Sequence, residues 1–76
     1  MNTFQQALSD WLAQDGNTQT SLAAAIGKTQ VAVRRYALGE RFPDAETARL
    51  IDQMTGGAVP YETWCTDFLK RSGIAA

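Results

Sequence analysis

Apolar residues recur along this chain with the period of a helix and never with that of a strand. Phe4, Ala7, Leu8, Trp11 and Leu12 fall at i, i+3, i+4, i+7 and i+8, one apolar face over two turns. Thr3 and Gln6 have the spacing of a capping box, so a first helix is predicted from Thr3, with Gly16 as its stop. A second is predicted from the cap Thr18 through Leu22, Ala23 and Ile26 to Gly27, and a third from the cap Thr29 to Gly39. Phe42-Pro43-Asp44 breaks the chain and opens a fourth helix, with Ala48, Ile51 and Met54 inward and Gly56-Gly57 as the stop. Pro60 then stands at a first helical position, ahead of Tyr61, Trp64, Cys65, Phe68 and Leu69 at helical spacing. This C-terminal helix is expected over about 60–71, with Gly73 to end it and the last residues frayed. The pattern predicts an all-α fold of five short helices, a compact single domain over residues 1–76. Trp11 shares its face with core residues and reads as a core anchor rather than a stacking platform for bases.

Composition agrees and narrows the function. Hydrophobic residues make up 45% of the 76, enough for one small core near the lower size limit for unaided folding. Twelve alanines against three valines favour helix. One cysteine and no histidine argue against a disulfide framework and an ordinary zinc site, and no metal or other cofactor is expected. No paired acid and base, glycine-rich phosphate cradle or metal-ligand cluster supports catalysis, so the chain reads as a non-enzyme. No apolar run approaches the ~20 residues that span a bilayer, and no basic-then-apolar signal opens the chain. The expected compartment is the cytoplasm.

The net charge of −1 hides an asymmetry. Between Asn17 and Pro43, Lys28, Arg34, Arg35 and Arg41 face one acid, Glu40, a local net of +3. The remainder has Arg49, Lys70 and Arg71 against seven acids, a net of −4. Sign segregation of this kind suggests one face built for an anion.

The same stretch has the grammar of two short helices joined by a tight turn. Gly27-Lys28-Thr29 separates them, and glycine suits a turn position with positive φ. Helices crossing steeply through so short a turn need a small residue where their backbones meet, which is Ala23. Val33 and Tyr36 then fill the wedge against Leu22 and Ile26. With 100° per residue and Val33 at 0°, Tyr36 falls near about 300°, which defines the buried side. Gln30, Arg34, Leu38, Val31 and Arg35 fall between about 60° and about 200°. An amide, two guanidiniums and an apolar branched side chain are the tools of major-groove readout. Gln bonds adenine bidentately, Arg reads guanine O6 and N7, and Val meets a thymine methyl.

Thr18-Gln19, Leu22-Ala23, Ile26-Gly27, Gln30, Val33, Tyr36, Gly39 and Pro43 together resemble the helix-turn-helix core of phage Cro and repressor proteins and of the wider XRE-type regulators. The likeness covers roughly Phe4 to Gly57, with the helix-turn-helix core at 18–39. The ending Gly56-Gly57-Ala58-Val59 is similar to small Cro and YdaS-like antitoxin sequences. The resemblance implies a lambda-repressor-like DNA-binding domain whose third helix, 29–38, lies in the major groove of double-stranded DNA. By position it assigns base contacts to Gln30, Val31, Arg34 and Arg35, with Arg34 reaching either a base or a phosphate. It assigns phosphate contacts to Gln19, Lys28, Thr29 and Arg41, with Gln19 also placed to brace Gln30. Many relatives carry polar residues where Val31 and Leu38 stand, so readout here is expected to be more apolar.

One helix reads too few base pairs for useful specificity, so a homodimer on a palindromic operator is expected. Tyr61, Trp64, Phe68 and Leu69 form the candidate pairing surface. The same stripe has a second use, packing on Phe4, Trp11 and Leu12 to finish the monomer core, and both uses can coexist. Cys65, within the stripe, reads as a buried inert thiol. The leading function is a Cro-like transcriptional repressor of phage type acting at the nucleoid of a bacterial host. The alternative is a protein-interaction module or antitoxin of the same fold, with a toxin or polymerase as partner.

Overall fold

In a computed structural model, which describes residues 3–72, the chain forms five helices: α1 Phe4–Leu12, α2 Gln19–Ile26, α3 Gln30–Leu38, α4 Ala45–Met54 and α5 Tyr61–Ser72. No strand occurs among the described residues. Gly73 and the expected frayed end lie outside them.

Four helix starts follow from a side-chain oxygen that accepts an otherwise orphaned backbone N–H. Thr3 accepts from Gln6, Thr18 from Ser21, Thr29 from Ala32 and Asp44 from Thr47. The stops at Gly27 and Gly39 are left-handed, with φ of 71° and 77°. At each, the next residue's N–H reaches back to a carbonyl of the last turn, Lys28 to Ala23 and Glu40 to Arg35, both at 2.9 Å.

One helix ends earlier than its glycine predicts. α1 stops at Leu12 rather than Gly16, because Asn17 Nδ2 donates to the Trp11 carbonyl at 2.8 Å and satisfies the helix end from outside. Gly16, with φ of 85°, serves the turn that follows.

All five helices contribute to one core. Phe4, Leu8, Leu22, Val33, Ile51 and Val59 are its largest fully buried side chains. Ala23, Ile26 and Tyr36 are buried with them, which places the wedge between α2 and α3 where the spacing predicts it. Met54 is a correction: it is 47% exposed, since α4 turns Ala48 and Ile51 inward and Met54 sits near its end. Ser9 Oγ ties α1 to α3 by donating to the Ala37 carbonyl at 2.9 Å.

α5 closes the core through its aromatic residues. Trp64 is 6% exposed, its indole N–H donates to the Pro43 carbonyl at 2.8 Å, and its ring stacks with Phe42, Tyr61 and Phe68. Two acids from the helices hold distant helix starts. Asp67 Oδ2 of α5 accepts the Phe4 N–H, and Asp52 Oδ2 of α4 accepts the Tyr61 N–H, each at 2.9 Å. A weak helix former such as Asp67 is therefore well used inside α5, since it neutralises the positive end of α1.

Asp44 offers a test of local capping. Hydrogen bonds from Thr47, and then the nearby positive charge of Lys28, hold its carboxyl below the ordinary value of 3.8. A depressed folded-state pKa means that this stabilisation is present above the unfolded value and lost as pH falls through the folded one. Asp44→Ala is expected to lower stability by about 1 kcal/mol near neutral pH. Asp44→Asn retains a cap and should show a shallower loss of melting temperature on acidification below about pH 4 than the parent. Parallel acid melts of the three proteins check this.

Candidate nucleic-acid interface

The turn Gly27-Lys28-Thr29 delivers α3 against α2 with one side in the core and the other free. Val33, Tyr36 and Ala37 are buried, whereas Gln30, Val31, Arg34, Arg35 and Leu38 are exposed. The two apolar members matter most, because about half of each side chain is left open to solvent: Val31 is 51% exposed and Leu38 52%. An outward helix face carrying an amide, two guanidiniums and two aliphatic side chains suits a surface that is both polar and methylated, as the major groove is.

Gln30 is not left to rotate. Its Nε2 donates to Oε1 of Gln19 at the start of α2. A side-chain amide has two N–H donors and one carbonyl acceptor. Gln30 retains its own carbonyl oxygen and a second N–H, the pair that bidentate bonding to adenine N6 and N7 requires. Gln19 retains its amide N–H₂, together with the positive end of α2, for an anion. The brace thus fixes the reading group without consuming its reading atoms.

Lys28, Thr29 and Arg41 flank the same face and are exposed. Thr29 Oγ1 accepts the Ala32 N–H at 3.1 Å and keeps its own proton to donate. Lys28 lies close enough to Asp44 to lower that carboxyl's pKa, so one acid borders the basic surface just beyond Pro43. Arg41 follows the α3 cap, on the loop that leads to Asp44. The eight residues expected to meet DNA therefore lie on α2, α3 and the loops at the two ends of α3.

A model of the helix-turn-helix family matches residues 8–59, more than half of the chain. The chain belongs to that family. It is an XRE-like helix-turn-helix protein, a DNA-binding transcription regulator, and the family is one of regulators rather than enzymes. No curated protein and no solved structure matches the chain. The matched range ends at Val59, so the aromatic α5 of this helix-turn-helix protein lies outside it. No described helix is long and apolar enough to cross a membrane.

The expected pairing stripe on α5 divides in two. Trp64, named for pairing, takes the second use expected of the stripe and is enclosed in the monomer core, because Phe42 and Pro43 reach over to contact it. Tyr61 is half-buried under the Arg49 guanidinium, 5.0 Å from its ring centre. Phe68 and Leu69 remain 44% and 41% exposed. Cys65 is half-buried rather than enclosed, since it lies at the margin of the core. Sequence reasoning missed Phe42, Asp52 and Asp67, whose partners all lie on other elements and leave no local pattern.

Proposed function

We propose that this protein is a Cro-like repressor of phage type that binds a palindromic operator as a homodimer. α3 lies in the major groove with Gln30, Val31, Arg34 and Arg35 on base edges. Gln19, Lys28, Thr29 and Arg41 hold the backbone and set the register. The exposed face of α3, with its Gln30 amide held by Gln19, is the observation that carries this reading. Pairing uses the outer edge of α5, Phe68 and Leu69 with Tyr61, above the Trp64 that supports them. The protein acts in the cytoplasm of a bacterial host, at the nucleoid.

Fluorescence anisotropy at fixed salt tests the reading, comparing DNA that flanks the protein's own gene with a shuffled duplex of equal length. A preference of ~10³ or more is expected, with a two-fold axis at the centre of the protected site. Equal and weak binding to both would leave only phosphate attraction and overturn the operator assignment. The exposed Phe68–Leu69 edge favours the second reading in that event, an antitoxin or interaction module whose partner is a toxin or polymerase.

A further inference from the structure

Along the chain, Lys70 and Arg71 belong to its acidic remainder, far from the basic stretch that ends at Pro43. Folding changes their neighbours. The C-terminal end of α5 lies beside the loop that follows α3, and Arg41, Lys70 and Arg71 line one open groove of about 240 Å³. Tyr36 and Gly39 line it too, so the groove opens at the C-terminal end of α3.

The charge in the groove is positive. Three cations face one acid, Asp67, whose Oδ2 is engaged by the Phe4 N–H at the positive end of α1. Arg71 is also held in place. Its Cζ lies 4.3 Å from the centre of the Phe42 ring, and Phe42 adjoins Arg41 in sequence. Stacking uses the flat face of a guanidinium and leaves its in-plane N–H edge for an anion, with the geometry that suits phosphate oxygens. The Phe42 ring already contacts both Arg71 and Trp64, which leaves it a poor platform for a base. Groove chemistry therefore favours a backbone over a free nucleotide.

We infer that this groove holds DNA phosphates just beyond the base pairs read by α3, toward the operator's two-fold axis, with Lys70 and Arg71 of α5 extending the backbone contacts begun by Arg41. The inference rests on the placement of α3 in the major groove. It gives α5 a second task besides closing the core, and it enlarges the footprint without adding base readout.

The test uses the full chain and an operator duplex enriched from a random pool by the parent protein. The variants are Lys70→Ala, Arg71→Ala and the double change. Each lost phosphate contact should lower the slope of log affinity against log salt by ~0.9, about eightfold in affinity at ~0.1 M salt. The double variant should lose about twice that slope, keep the parent's preference for operator over shuffled DNA, and lose hydroxyl-radical protection at the backbone of each half-site on the side of the two-fold axis. Lys70→Ala alone leaves the Phe42 contact intact, so its single step in slope is read even if removing Arg71 destabilises the fold.

An unchanged slope, with specific binding by the parent intact, would overturn the groove and leave the α3 reading standing. A reduced slope with that axis-side protection retained would also overturn it, because distant charge would then account for the loss. If the parent enriches no sequence from the pool, the α3 reading fails and the groove assignment fails with it.

Discussion

Trp64→Ala is expected to remove most of the stability of this protein. The residue is 6% exposed, stacks with three aromatic rings and donates its indole N–H to the Pro43 carbonyl. Truncating a buried Trp typically costs about 3–5 kcal/mol. Small domains have on the order of 5 kcal/mol in total. Urea titration should show the midpoint falling toward zero, with the unfolded form populated in buffer. Trp64→Phe keeps a ring in the stack but leaves the Pro43 carbonyl without its donor, so an intermediate midpoint is expected. The loss should be independent of protein concentration, because Trp64 closes the monomer. A loss that grew on dilution would return Trp64 to a subunit interface. A fall below about 1 kcal/mol would show that α5 contributes little to the core.

Arg35→Ala is expected to weaken operator binding by about 1–3 kcal/mol, roughly 5- to 150-fold, with little change on shuffled DNA. Arg35 is exposed on the last turns of α3 and away from the core, so stability should be nearly unaffected. Lys28→Ala supplies the contrast. It lies on the turn before α3, where a cation meets phosphate, and its loss should weaken all sequences alike and reduce the salt slope by ~0.9. Anisotropy titrations of both variants on operator and shuffled duplexes separate the two behaviours. If Arg35→Ala left operator affinity intact, the recognition face would be misassigned.

Most of the framework is legible in the sequence, because it depends on interactions between near neighbours. Thr3, Thr18 and Thr29 each cap a helix by bonding a backbone N–H three residues on. Gly27 and Gly39 end helices by taking a backbone conformation that other residues avoid. The two sides of α3 follow from 100° per residue once Val33 and Tyr36 are placed inside. The basic stretch and the helix-turn-helix likeness needed nothing more.

Contacts between distant segments were a different matter. Asn17 ends α1 before its glycine, Asp52 and Asp67 cap helices other than their own, and Phe42 meets Trp64 from another element. None of these has a fixed spacing, because each depends on how whole helices pack. The same packing moved Lys70 and Arg71 from the acidic remainder to the groove beside Arg41. Sequence by itself determined the helices, their caps and the outward face of α3, all of them set within a turn or two of chain. Only the tertiary structure decided which acids cap which helices, that Trp64 faces inward, and where the charges of α5 lie, because the helices must first pack before those groups can meet.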